Sequence, residues 1–467
     1  MYSFWDSKVW SFLCLMTALF VAMLLANVIK KTKLFRNSLI PTSVLGGIIL
    51  LIVSTVYEAI AKQPFFNLAI FGGNGNAILE IITYHALALG FIASTLKSTE
   101  KKFTKERNKE IFNTGVTTVA TYLLQAVFGM GITLGLSYIL TDVFPISGIL
   151  LPFGYGQGTG QALNWGKTYE NEGFVGGPSF GLTVAALGFL SASIGGVIHL
   201  NILKRKGKVI IASDKESKLL SEEVQSDNEI PMNGSMDKMT VQIALVLLAY
   251  LLTYGLMALL TKLIGMQSVI YGFNFLFGVL MATLIKAVAK FSHKKGIIKK
   301  YHRNNFLLDR ISNSCFDVMV VAGIAAIRFD VLGNYWLVLA ILGVVGAVIT
   351  YIYNLYVARK FFPGYAEEQF LMMYGMLTGT ASTGMILLRE ADEDFKTPVA
   401  DNLVYQNFPA IVFGFPLMLL ADLAPKQPWL TFGILVAFLI VMNIILFRSV
   451  IFKGKKKVEK AQIEAEE

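Results

Sequence analysis

The chain has 467 residues, 55% of them hydrophobic and only 15% charged, with 41 basic against 31 acidic residues and a formal charge of +10. A water-soluble domain carries about 25% charged residues; together with a mean hydropathy of +0.60, the deficit excludes a soluble enzyme, a disordered chain and a disulfide scaffold. The apolar residues come in blocks of roughly 20, the length that crosses a ~30 Å hydrocarbon core, which predicts an all-α polytopic membrane protein.

In chain order, apolar runs bounded by charge predict spans near 9–30, 38–58, 76–97, 111–140 and 176–200. A second set follows near 239–262, 268–290, 306–327, 334–357, 402–424 and 428–452, giving ten or eleven spans. The first run is not expected to be a cleaved signal peptide, because its basic cluster follows the apolar stretch instead of preceding it. Cys14 and Cys315 lie inside apolar runs and suggest neither a disulfide nor a metal site.

Alternate loops differ sharply in charge. One set, from Lys30 through the tail after Arg448, holds 32 of the 41 basic residues; the other holds six, Lys8, Lys62, Lys167, Lys262, Arg328 and Lys426. The basic side is expected to be cytoplasmic, which places the amino terminus outside and the KGKKK tail inside a cell membrane. That tail reads as attraction to lipid headgroups and as a topology signal, not as a nucleic-acid site.

The polar stretch 204–237, rich in charge, Ser and Asn, reads as a cytoplasmic linker. It separates a first half, 1–203, from a second, 238–424, with an extra span and basic tail over 425–467. Each half carries one charge-poor, glycine-rich segment before its fifth span, 144–172 and 363–391. The charge count starts the first half outside and the second inside, so the order of elements predicts an inverted-topology repeat, a common build for secondary transporters.

The strongest local feature is Leu151-Pro152-Phe153-Gly154-Tyr155-Gly156-Gln157-Gly158-Thr159-Gly160-Gln161. Glycine at every second position makes a poor helix, at about 1 kcal/mol each relative to alanine, and bare backbone at membrane depth survives only inside protein or beside a wet cavity. The segment predicts a re-entrant hairpin from the extracellular side; close helix packing through small residues is the competing reading. No strand precedes the glycines and no Gly-Lys-Ser/Thr follows, so a nucleotide loop is not indicated. The counterpart, Tyr374-Gly375-Met376-Leu377-Thr378-Gly379-Thr380-Ala381-Ser382-Thr383-Gly384, follows Arg359-Lys360 and Pro363-Gly364 and is expected to enter from the cytoplasm. Helix amino termini at such tips suit a carboxylate, while unwound carbonyls and hydroxyls suit a small cation such as Na⁺. Gly156, Gln157, Gly158, Thr159, Gly160, Thr380, Ser382 and Thr383 are therefore the candidate substrate-binding residues, with Arg389 near enough in sequence to meet a substrate carboxylate.

The third span of each half carries ionisable groups. Asp317, with Asn313, Ser314 and the hydroxyl of Thr378, is the candidate Na⁺ set; a structural contact between helices is the alternative for Asp317. Glu80 fits the headgroup region. His85 fits a hydrogen-bonded packing residue or a proton relay. Arg389, Glu390, Asp392 and Asp394 are expected to form a solvated cluster at the cytoplasmic mouth, and Asn402 and Gln406, which begin the next span, are further candidates to line the path.

Through FGYGQGTGQALNWG, LTGTASTGM and the element order, residues 1–424 resemble the glutamate:sodium symporter (ESS) family. The resemblance implies sodium-coupled glutamate symport by an elevator-like movement, a homodimer, and no cofactor beyond Na⁺ as coupling ion. It also places substrate and ion at Gly156 to Gly160 and Gly379 to Gly384. The 2-hydroxycarboxylate transporters are close in architecture, so a Na⁺- or H⁺-coupled dicarboxylate carrier stays open. An enzyme is not expected: His85, His199, His293 and His302 form no ligand spacing, and neither HExxH nor GxSxG occurs. An ion channel is the alternative of another class.

Overall fold

The computed structural model describes residues 7–32, 40–97, 104–140, 142–207, 236–265, 267–296, 303–392 and 396–466, and among them there is no strand. The body of the predicted linker, from 208 to 235, lies outside the described residues, as do Asp394 and the side chains of Ser382 and of 452–466.

The helices are α1 (Ser7–Lys30), α2 (Thr42–Ala61), α3 (Gly75–Leu96), α4 (Lys105–Leu136), α5 (Thr159–Asn171) and α6 (Gly177–Arg205). They continue as α7 (Lys238–Ile264), α8 (Gln267–Gly272), α9 (Asn274–Lys294), α10 (Asn305–Ala325) and α11 (Trp336–Phe361). The last are α12 (Ala366–Thr378), α13 (Ala381–Ala391), α14 (Val399–Tyr405), α15 (Asn407–Leu423) and α16 (Pro428–Glu466). Short polar side chains fix several starts: Thr104, Asp237, Asn304 and Thr380 each accept a backbone N–H three residues on, satisfying one of the free donors of the first turn.

Among the described residues nine helices are long and apolar enough to cross a membrane: α1 to α4, α6, α7, α9, α11 and α16. Their surfaces are inverted relative to a soluble helix. In α1 the buried residues are Ser11, Leu15, Leu19, Ala22 and Ala26, one stripe at three- and four-residue spacing, while Leu24, Leu25 and Val28 are exposed. A face of exposed leucine and valine is stable only against lipid. Two predicted spans differ from this set. Helix α10 carries Asp309, Arg310 and Asp317, which dilute its apolar character. The predicted 402–424 span is broken at Gln406 into α14 and the 17-residue α15, and α15 is short for a crossing.

The chain divides into two compact units. The first comprises 1–102, 159–186 and 213–332, the second 103–158, 187–212 and 333–467, so each draws on both sequence halves. In the first unit α3 packs against α10, α9 and α5, and α2 lies between α1 and α10. Lipid offers no hydrophobic drive between helices, so close approach through small residues substitutes for it. In the second unit α4 is the central helix, packed against α11, α15 and α16, and α12 lies against both α11 and α13.

Candidate functional site

The second unit holds an uncharged polar interior. Helix α4 presents Thr114, Thr118, Thr121 and Gln125 at steps of four, three and four residues, which places them on one face. All four are buried, none more than 1% exposed. Thr114 accepts from Gln369 Nε2 (3.3 Å), and Gln369 Oε1 accepts from Asn402 Nδ2 (3.1 Å). Thr118 donates to Gln406 Oε1 (2.9 Å), and Asn354 Nδ2 reaches Thr121 (3.4 Å). Gln125 Nε2 donates twice, to Thr350 Oγ1 (2.8 Å) and to the Leu377 carbonyl (2.9 Å). These groups replace water for one another, the only affordable way to bury them.

The ladder ends at two irregular backbone segments. Pro152–Gly156 forms a single wide π turn, begun by a proline that has no N–H to give. Its carbonyl at Gly156 accepts from Tyr122 Oη (3.1 Å), and Tyr155 Oη donates to Gly343 O (2.6 Å). The second break lies between α12 and α13. Thr378 Oγ1 donates back to Tyr374 O (2.6 Å), Gly379 leaves helical geometry, and Thr380 caps α13 by accepting from Thr383 N (3.4 Å). The hydroxyls of Thr380 and Thr383 are 3.3 Å apart.

Gly188 of α6 joins the two segments. A Cβ there would stand 2.4 Å from Thr378 O and 3.1 Å from the Tyr155 ring. Gln125 joins them from the other side, its amide on Leu377 and its Oε1 turned toward Gly156, 3.4 Å from where a Cβ would be. That oxygen is buried and has no hydrogen-bond partner. A lone acceptor beside the carboxyl end of α12, where the helix dipole is negative, favours a cation; the capped start of α13 favours an anion.

In the first unit, α5 begins at Thr159 directly after Gly158, whose φ of +78° is open to glycine at no steric cost. Thr159 Oγ1 donates to Met319 O (3.2 Å), and Gly160 lies against Leu87. Gln161 is 1% exposed and neither its Oε1 nor its Nε2 has a partner, an expensive arrangement in the first turn of a helix. Lys167 is tied to Glu170 (2.6 Å), a hydrogen bond that holds its amine above the ordinary lysine range.

The candidate residues thus divide. Gly156, Gln157, Gly158, Thr378, Thr380, Thr383 and Arg389 belong to the second unit; Thr159, Gly160, Asn313, Ser314 and Asp317 belong to the first. Gly156 and Thr378 are brought together by Gln125 and Gly188. Arg389 is exposed, about 13 Å along α13 from Thr380. Asn313, Ser314 and Asp317 are exposed on α10; Ser312 is buried and donates to Gly90 O (2.9 Å). Asp392 is not a solvated mouth residue. It is buried and accepts from Lys396 N and Thr397 N, both at 2.8 Å. His85 Nδ1 lies 2.5 Å from Tyr250 Oη, a hydrogen-bonded packing position. Both cysteines are free.

Sequence reading did not single out Gln125, Thr114, Thr118, Thr121, Gln369 or Gly188. The four-three-four spacing of hydroxyl and amide residues within an otherwise apolar span was the available signal for the first four. Gln369 and Gly188 had none, since their roles depend on which helices pack together. Compared with known families and curated proteins, the chain matches no family model and no curated sequence.

Proposed function

We propose that the chain is a secondary carrier that moves a small organic anion, with glutamate as the first candidate, together with Na⁺ across a cell membrane by alternating access. The observation that carries this reading is the meeting of two broken backbone segments, at Gly156 and Thr378, around the unpartnered oxygen of the buried Gln125. Broken helices that place dipole ends and bare carbonyls beside uncharged side chains are the usual way a carrier binds an ion and an anionic solute at membrane depth.

On this reading 144–172 and 363–391 are re-entrant hairpins within two inverted halves. The division of the chain into two compact units is compatible with an elevator-like movement. The amino terminus is outside, the linker and tail are cytoplasmic, and the protein works as a homodimer. Lys167 is occupied by Glu170 and Arg389 is exposed, so among the described residues no lysine or arginine stands at either break. That favours a solute bringing its own ammonium group over citrate or malate, which would call for more cationic donors.

Reconstitution into proteoliposomes tests the reading. Labelled glutamate is expected to accumulate under an inward Na⁺ gradient, with weak competition from citrate and malate. Strong competition would reassign the solute to a hydroxycarboxylate. Absence of accumulation of any of them under Na⁺ or H⁺ gradients would remove the carrier, and single-channel currents would replace it by a channel.

A further inference from the structure

We propose that His199 and Glu367 form a proton-binding site that fastens the amino-terminal end of α12 to α6 and α11 according to pH. The pair lies in a part of the second unit that the polar ladder and the two breaks do not use, and its titration does not depend on transport.

His199 is 1% exposed, and its ring is held against Phe370 with centroids 4.3 Å apart. Both ring nitrogens are engaged. Nε2 lies 2.9 Å from Glu367 Oε2 on α12, and Nδ1 lies 2.7 Å from Tyr351 Oη on α11. An ionised carboxylate only accepts, so Nε2 carries a hydrogen whether the ring is neutral or charged. Nδ1 is the variable position. In the neutral ring it accepts from the Tyr351 hydroxyl; in the charged ring it donates to the same oxygen, and the hydroxyl hydrogen turns away.

One proton from water can therefore be added at Nδ1 with every heavy-atom contact kept. The addition converts the Nε2–Glu367 hydrogen bond into an ion pair, which is the stronger of the two.

The charged and titratable groups around the ring come from three elements. The turn after α6 supplies Lys206, α11 supplies Arg359 and Tyr351, and α12 supplies Glu367 and, through Tyr351, Tyr374. Burial of the ring opposes a proton on His199 most strongly, Lys206 and Arg359 oppose it further, and Glu367 favours it. Arg359 also holds the other oxygen of the same carboxylate, with Nη2 at 3.0 Å and Nε at 3.3 Å from Oε1. Glu367 thus meets both His199 and Arg359 as cations in the acid state, and Arg359 but not His199 as a cation in the neutral state. Its place in the first turn of α12 suits a carboxylate in both. The Arg359 side chain is half exposed, which gives the pair a path to water.

The test follows the ring itself in full-length protein labelled with ¹⁵N-histidine and held in lipid nanodiscs. Ring-nitrogen shifts are read from about pH 5 to 8, the range in which histidine changes charge, and His199→Gln assigns the signal. A titration belonging to His199 is expected in that range. Glu367→Gln should move its midpoint down by at least one pH unit, a tenfold loss of proton affinity, because the anionic partner is gone. Arg359→Gln, at a half-exposed position, should move it up. A His199 ring that keeps one charge state throughout, or a midpoint that neither variant displaces, overturns the proposal and leaves a purely structural hydrogen bond.

Discussion

The carbonyl oxygen of Thr378 lies against the α-carbon of Gly188, so close that a Cβ at 188 would be 2.4 Å from it. The same hypothetical atom meets Tyr155 of the π turn, so one missing methyl group lets both broken segments of the second unit seat on α6. The obstruction at Thr378 is backbone and cannot rotate aside. Gly188→Ala should cost about 1–3 kcal/mol as overpacking. It should lower the thermal midpoint of the purified protein and reduce uptake more than tenfold at normal membrane levels. Full uptake by this variant would show that the seating of Thr378 does not matter to function.

Gln125 donates to Leu377 and Thr350 and offers an unpartnered oxygen toward Gly156. Gln125→Leu keeps the size but strips the donors, leaving the Leu377 carbonyl buried without this hydrogen, a cost of about 1–3 kcal/mol. If the oxygen is part of a cation site, the Na⁺ concentration for half-maximal uptake should rise severalfold. Stability loss with an unchanged Na⁺ requirement would reduce Gln125 to a packing bridge.

Gly158 turns the chain into α5 at φ +78°. Gly158→Val forces a β-branched residue into the left-handed region, at a cost of roughly 1–2 kcal/mol or more. The protein should reach the membrane and bind no substrate, as read by ligand-induced thermal shift beside uptake. Wild-type behaviour in both measurements would detach this turn from the binding site.

Asp317 of α10 faces Ser43 of α2. Two variants separate its possible roles. Asp317→Asn should raise the Na⁺ requirement if the carboxylate is an ion ligand, whereas Ser43→Ala should change stability by only ~1 kcal/mol. Equal effects of the two on Na⁺ dependence would instead mark the pair as a helix–helix contact.

Much of the helical framework was legible along the chain, because lipid imposes a local rule: a crossing needs about 20 apolar residues. Spans such as α1, α2, α6 and α16 satisfy that rule within their own sequence. It fails where tertiary partners intervene. The predicted 402–424 run breaks at Gln406, whose amide is drawn to Thr118 of α4 and to Asn407. Helix α10 is packed among apolar neighbours while carrying Asp309, Arg310 and Asp317, and Asp309 is matched by Lys97 of a distant segment.

The glycine-rich run over 154–160 announced irregular backbone by itself, since residue type alone sets what φ is tolerated. Which groups face that backbone was decided by packing. Gln125 and Gly188 stand 63 positions apart in sequence, and neither is distinctive until α4 and α6 bring them to Tyr155 and Thr378. Composition and periodicity determined that this chain lives in a bilayer and bends sharply at two places, because both follow from short-range sterics and solvation. Only the tertiary structure chose the neutral amides and hydroxyls that line the second unit, because a buried polar group is affordable only when a partner from another helix is there to meet it.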